Sequence, residues 1–234
     1  PVMQIGILST WAKESKLKPL REGSYANTSN ARLREVFGER LADQSEEQLS
    51  ALKKNDIAFY DEIYGYKSKV GIEQFGNTAP GDGWKYRGGG ITQLTGKKLF
   101  EKYGNYVGVD LKNNPEKITD TDTSLKVSAK FIQNSLNQGK SYIQNRYGVS
   151  DINKVTDPKL AVQIATNAVA GWGKDTRGRE SETRALGYLS EIKSLHDQII
   201  AKGIDFAKKN PFGTGLAILA LIGLATFLFI SLKK

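Results

Sequence analysis

The chain has 234 residues, 39% hydrophobic and 25% charged, a globular composition sufficient for one domain with a substantial core. It has no cysteine and one histidine, which excludes disulfides and thiolate catalysis and argues against a protein-only zinc site. The formal net charge of +9 favours a polyanionic partner such as the bacterial cell wall or anionic lipid. No compact basic run with a nucleic-acid motif occurs, so we expect no nucleic-acid partner. We also expect no metal and no cofactor.

The first predicted element is an amphipathic helix, because apolar residues recur at spacings of three and four between Met3 and Glu14. Glu14 lies at its end, beside Lys13. A glutamate in such a place is most often solvated, so the helix alone gives Glu14 no role. Residues 1–5 show no basic region followed by an apolar core, and we expect no secretory signal there.

Further helices are predicted along the chain. Residues 26–75 have helical spacing with polar breaks, and a helix is expected from Lys126 to Leu136. Another should start at Asp157-Pro158 and end near Ala170. Three tyrosines precede the next informative stretch and are expected mostly in the core or at its rim: Tyr60, Tyr64 and Tyr66.

The most informative stretch is Gly81–Gly104, GDGWKYRGGGITQLTGKKLFEKYG. It combines turn residues, an aromatic and basic strip at 84–87, and three glycines at 88–90. Glycine is used where φ is positive or where a ligand or another backbone comes close. Aromatic and arginine side chains stack on sugar rings or bases. Composition alone does not separate a tight turn from a binding loop.

This stretch resembles the signature of the glycoside hydrolase family 19 chitinases and their phage endolysin relatives, a pattern like GDGWRYRGRGxIQLTGRxNY. The matching residues are Gly81, Asp82, Gly83, Trp84, Tyr86, Arg87, Gly88, Gly90, Gln93, Leu94, Thr95 and Gly96. Two positions depart from it: Gly89 stands where arginine is usual, and Leu99-Phe100 stand where Asn-Tyr is usual.

The resemblance implies an inverting glycosidase, which needs a proton-donating carboxyl and a water-activating carboxyl about 6.5–9.5 Å apart. It assigns Glu14 as the acid, Glu22 as the base and Thr95 as a residue that holds the water. Lys13 replaces the usual histidine. Because an adjacent ammonium favours the charged form of a carboxyl, we expect Lys13 to point away from the cleft.

The same resemblance supplies candidate sugar contacts. Gln93 would bind an N-acetyl or hydroxyl group, and aromatic and basic side chains would line the glycan. These further candidates are Trp84, Tyr86, Arg87, Trp172 and Arg184. For Trp172, a buried position remains an open alternative to a sugar platform.

The implied fold is a mainly α, lysozyme-like (family 19 chitinase-like), two-lobed domain over residues 1–200, with a small β element. Residues 201–211 would form a linker. Residues 212–232 contain no charge over 21 positions, enough for a helix of about 30 Å. They predict one C-terminal transmembrane helix, hence a single-pass protein of a virion membrane or, alternatively, the host inner membrane.

Together these features predict a membrane-anchored peptidoglycan hydrolase of a membrane-containing phage, acting in entry or lysis. Its partners would be glycan strands, a lipid membrane and other virion proteins. Two alternatives remain open: a lytic transglycosylase, which needs one carboxyl and leaves anhydro-sugar ends, and an inactive wall-binding or structural protein. Chitin is a less favoured substrate, because the phage-type strings and the basic charge suit murein better.

Overall fold

A computed structural model describes residues 2–172, 182–194 and 197 of the chain, which are mainly helical. The helices are α1 (Val2–Ser15), α2 (Asn30–Phe37), α3 (Glu46–Leu52), α4 (Asp56–Ile63), α5 (Asp82–Lys85), α6 (Lys97–Val107), α7 (Thr121–Gln138), α8 (Lys140–Tyr147) and α9 (Pro158–Ala170). Short 3-10 segments occur at Gly38–Leu41, Pro115–Thr119 and Ile152–Lys154, and a π-helical turn at Gly71–Phe75. Further helical residues lie at 182–187 and 189–194.

Local sequence signals explain where several helices begin. Ser45 and Gln48 form a reciprocal capping box at the start of α3. The Asp157 side chain accepts the backbone N–H of Lys159, and Pro158 occupies the first turn of α9. The helices predicted over 3–14, 126–136 and 158–170 are confirmed as α1, part of α7 and α9.

The small β element is also confirmed, although its strands are two residues long and far apart in the chain. β1 (Leu20–Arg21) pairs antiparallel with β2 (Gly89–Gly90), with Leu20 opposite Gly90 and Arg21 opposite Gly89. An isolated bridge then joins Gly89 to Leu94. A stretch near the N-terminus is therefore tied to the glycine-rich stretch.

The chain divides into two compact units. The first comprises Pro1–Leu17 and Ser128–Lys234, and the second comprises Lys18–Val127. In the first unit, α1 packs closely on α9, since a Cβ at Gly6 would lie 2.4 Å from the Ala161 carbonyl carbon. Trp11 on α1 is fully buried. The predicted domain over 1–200 remains a prediction.

The second unit is built on an aromatic core. Tyr25, Phe37 and Phe59 meet with ring centroids 5.3–5.8 Å apart, and Tyr60 and Tyr64 extend the cluster. Such edge-to-face and tilted pairs are favoured by the ring quadrupoles. Tyr60 is fully buried and Tyr64 is half-buried, as predicted for these tyrosines.

The Gly81–Gly83 turn is held by a buried carboxylate of α4. Asp61 accepts the backbone N–H of Gly81 at 2.7 Å and that of Gly83 at 3.0 Å. Gly83 must lack a side chain, because a Cβ there would lie 2.3 Å from the Tyr60 carbonyl oxygen. Close backbone approach, rather than ligand contact, explains this glycine of the signature.

The structure corrects the predicted fold class and location. No helix in the described part of the chain is both long and apolar enough to cross a membrane. The longest of them, α7, has 18 residues and carries Asp122, Lys126 and Lys130, whose charges oppose insertion into hydrocarbon. The predicted transmembrane helix and single-pass membrane location are therefore not retained. The span predicted at 212–232 lies outside the described residues.

The packing of Gly83 predicts a steric effect on stability. Gly83→Ala should lower the unfolding free energy by about 2 kcal/mol or more, because the new methyl group overlaps the Tyr60 backbone. The matched control is Gly23→Ala, since a Cβ at Gly23 meets no atom within 4 Å and its cost should stay within about 0.5 kcal/mol. Urea unfolding of both variants measures the difference, and equal costs would contradict this packing.

Candidate active site

Glu22 follows β1 directly and is fixed by its backbone. Its N–H donates to the Gly88 carbonyl at 2.7 Å, and its own carbonyl accepts from Arg87 Nε at 2.9 Å. The first of these bonds continues the short β pairing by one residue, and the second adds a side-chain anchor. The position of the Glu22 carboxyl is therefore set by the glycine-rich stretch and not by a flexible loop alone.

Both carboxyl oxygens of Glu22 accept hydrogen bonds. The Tyr25 hydroxyl donates to Oε1 at 2.6 Å, and the Gly88 N–H donates to Oε2 at 3.1 Å. An ionised carboxylate has only acceptors, so two donors aimed at it match the charged form. This arrangement suits a base that must take up a proton.

Burial acts in the opposite direction on the same group. It is the largest influence and raises the pKa of Glu22, while hydrogen bonds from Tyr25 and Gly88 and the charges of Arg87 and Arg21 lower it. The net direction is upward. A general base works best when its pKa approaches the working pH, so a carboxyl with a raised pKa and two oriented hydrogen-bond donors suits general-base chemistry.

Arg87 and Trp84 form a pair at the edge of this site. The Arg87 guanidinium lies 3.6 Å from the Trp84 ring centroid, and its Nη1 donates to the Trp84 carbonyl at 2.9 Å. Trp84 also meets the Tyr60 ring edge-on at 5.1 Å. Arg87 thus connects the backbone carbonyl of Glu22 to the Trp84 ring, and Trp84 is half-buried.

Tyr86 lies in the core. Its side chain is 1% exposed and its hydroxyl donates to the Lys112 carbonyl at 2.8 Å. The ring packs against Phe100, which stands where the family pattern has a tyrosine. This placement gives Tyr86 a structural role and leaves no surface for the predicted sugar contact.

Gln93 lies beside the Glu22 carboxyl, and Thr95 is hydrogen-bonded to Gln93. A Cβ built on Gly88 would lie 3.0 Å from both Gln93 Oε1 and Glu22 Oε2, so the glycine lets the amide and the carboxyl come together. Gln93 has a positive φ of 52° and donates from Nε2 to the Gly90 carbonyl at 2.8 Å. Thr95 Oγ1 donates to the Gln93 carbonyl at 3.0 Å and retains lone pairs for a water.

The departure at Gly89 has a steric explanation. A Cβ there would lie 2.9 Å from Nη1 of Arg21 and 2.8 Å from Cγ2 of Ile118. Arg21, opposite Gly89 in the β pairing, fills this space with its own guanidinium. A larger residue at position 89 would displace it.

The remaining predicted site residues belong to the first unit. Lys13 Nζ forms an ion pair with Glu14 Oε1, so the ammonium lies on the carboxyl that was expected to act as the acid. Trp172 donates from Nε1 to the Ser135 carbonyl at 3.1 Å and packs against Tyr142. It is half-buried, so its position lies between the two alternatives of a buried core residue and an exposed sugar platform. Arg184 is exposed.

Sequence reasoning missed two residues of the site. The sequence does not single out Tyr25, yet its hydroxyl donates the shorter of the two hydrogen bonds to the Glu22 carboxyl. Arg21 was not singled out, although it adjoins Glu22 in the sequence. Its side chain is 7% exposed, which no local pattern indicates for an arginine.

The described residues contain no group of three or more His, Asp or Glu side chains placed to hold a metal ion. No protein-family model matches the chain, and a search of curated proteins gives no match either. The likeness to family 19 enzymes therefore rests on the quoted residues alone.

The Tyr25 bond predicts a shift in pH dependence. Tyr25→Phe keeps the aromatic packing but removes a donor that favours ionised Glu22, so the pKa of Glu22 should rise further. If Glu22 acts as a base, the acidic limb of the kcat/KM profile moves to higher pH. The exposed Tyr66→Phe serves as control, and an unchanged limb in Tyr25→Phe would exclude this coupling.

Burial of Glu22 also predicts a pH effect on stability. Because its pKa is raised in the folded protein, ionisation costs more there than in the unfolded chain, and its contribution to stability falls as pH rises. Glu22→Gln lacks this titration. The unfolding free energy of Glu22→Gln, measured relative to that of the wild type, should therefore increase from about pH 4 to about pH 7. Urea unfolding across this range tests the slope, with the exposed Glu39→Gln as control.

Proposed function

We propose that the protein is a glycosidase that cuts the glycan strands of bacterial peptidoglycan. The observation that carries the proposal is the Glu22 carboxyl, which is held by Tyr25 and Gly88 and has a pKa raised by burial. Carboxyls with a raised pKa and oriented hydrogen-bond donors are characteristic of catalytic sites. The glycine-rich signature around this carboxyl supports glycan chemistry over other acid–base reactions.

In the proposed reaction Glu22 is the general base. It takes a proton from a water that attacks the anomeric carbon, while the Thr95 hydroxyl and the Gln93 amide orient that water and the sugar. Both groups belong to the same glycine-rich stretch, Gly81–Gly104, as the Gly88 donor. Glu14 would donate a proton to the leaving glycosidic oxygen, and the bond between that oxygen and the anomeric carbon breaks.

The Lys13–Glu14 ion pair favours a second candidate. The Lys13 ammonium contacts the Glu14 carboxyl directly and occupies one of its oxygens, so Glu14 is already engaged by its neighbour in the same helix. Glu22 would then be the carboxyl best suited to transfer a proton. A single-carboxyl enzyme of this kind is a lytic transglycosylase, in which a sugar hydroxyl replaces water and an anhydro-sugar end forms.

The charge of the chain supports peptidoglycan over chitin as substrate. Peptidoglycan carries carboxylates on its peptide stems, whereas chitin is uncharged. A net charge of +9 favours association with the anionic polymer, and the effect weakens as ionic strength rises.

The proposal is tested by mass spectrometry of soluble products after incubating purified murein with the full chain. Glu14→Gln and Glu22→Gln should each lower the release of reducing-end muropeptides by about 100-fold or more, the usual contribution of a general acid or base. Glu101→Gln, which removes an equal charge from a half-exposed surface ion pair, is the matched control and should retain activity.

Each outcome discriminates. Reducing ends lost in both variants support inverting hydrolysis by two carboxyls. Anhydro ends lost only in Glu22→Gln favour the single-carboxyl transglycosylase. A folded wild-type chain that releases no product overturns the enzymatic proposal and leaves wall binding.

A further inference from the structure

Two buried arginines lie side by side in the second unit and share one carboxylate oxygen. Oε1 of Glu116 is 3.5 Å from Arg21 Nη2 and 3.9 Å from Arg87 Nη1. The arginine side chains are 7% and 12% exposed, while the Glu116 side chain is 66% exposed. The two cations are therefore largely enclosed by the protein, and Glu116, which they share, is the solvent-facing member of the group.

The scaffold leaves the Arg21 guanidinium incompletely satisfied. Nη2 donates to the Lys85 carbonyl at 2.6 Å, but Nε and Nη1 are buried without a hydrogen-bond partner. The guanidinium also lies over the Phe100 ring, 5.3 Å from its centroid, which compensates only part of the charge. Burial, and then repulsion from Arg87, lower the pKa of Arg21 to about 10.

Glu116 neutralises the pair weakly. Its distances to both guanidinium groups exceed those of the strong charge-assisted hydrogen bonds that arginine makes with carboxylates, which are about 2.7–2.9 Å. It belongs to the short 3-10 segment Pro115–Thr119 and reaches the arginines from the solvent side. A partly exposed ion pair of this kind adds little stability, so a second carboxylate can compete for the same place.

We propose that Arg21 and Arg87 form a carboxylate-binding subsite, and that Glu116 occupies it until an acidic group of the substrate displaces Glu116. Arg87 Nε also donates a hydrogen bond to the Glu22 carbonyl, so the subsite lies next to the candidate base. The inference rests on the proposed function and adds to it a reason to prefer a carboxylated glycan over a neutral one.

Peptidoglycan offers this chemistry from two sources. The peptide stems end in carboxylates, and removal of a stem exposes the lactyl carboxylate of N-acetylmuramic acid. D-alanyl-D-alanine represents the first source and free N-acetylmuramic acid the second. N-acetylglucosamine is the matched neutral ligand, because it lacks only the lactyl group.

The test titrates the ¹⁵N-labelled full chain with each of these three ligands and follows the Nε–H resonances of Arg21 and Arg87. A carboxylate ligand should shift both resonances, and N-acetylglucosamine should shift neither. Glu116→Gln should tighten carboxylate binding about threefold, because it removes the competing anion. Glu101→Gln changes the charge equally and should bind as the wild type does. Which acidic ligand binds more tightly identifies the source.

The outcomes separate the subsite from the proposed function. Equal shifts with N-acetylglucosamine, or no gain in affinity for Glu116→Gln over Glu101→Gln, would overturn the subsite even if murein is cleaved. Carboxylate binding that Glu116→Gln strengthens supports the subsite, and if the same chain releases no murein fragments, the proposed hydrolysis is what fails.

Discussion

The candidate site depends on one short backbone pairing, in which the segment that carries Glu22 runs antiparallel to the first residues of the three-glycine run. The Glu22 N–H and the Gly88 carbonyl are 2.7 Å apart, and the Gly88 N–H returns to the Glu22 carboxyl. One glycine thus fixes both the backbone and the side chain of the same glutamate. Arg87 adds a third bond, to the Glu22 carbonyl.

Much of the glycine-rich signature serves this scaffold rather than a ligand. Asp61 holds the turn at Gly81 and Gly83, and Tyr86 fills the core. Gly88 leaves room for Gln93 to approach Glu22. These residues are needed because they avoid steric overlap and satisfy buried hydrogen bonds. A likeness in this motif therefore concerns first how the Glu22 carboxyl is positioned.

The electrostatics of the two glutamates differ in kind. Glu22 is buried among donors and near two arginines, and burial dominates its pKa. Glu14 is bound by the ammonium of its own neighbour in the helix. This difference is the physical basis for weighing a two-carboxyl hydrolase against a single-carboxyl transglycosylase. Arg21 and Arg87 meanwhile concentrate positive charge beside Glu22, with the exposed Glu116 as their weak counterion.

The sequence by itself determined α1, α7 and α9, because apolar periodicity and capping residues act between neighbours in the chain. The family resemblance also implied a small β element and named Glu22, Gln93 and Thr95 as candidate site residues. Only the tertiary structure decided which groups touch them, since Glu22 meets Gly88 across 66 positions. Long-range packing likewise buried Tyr86 and the side chain of Arg21. Local patterns cannot encode such contacts, because burial is a property of the whole packed unit.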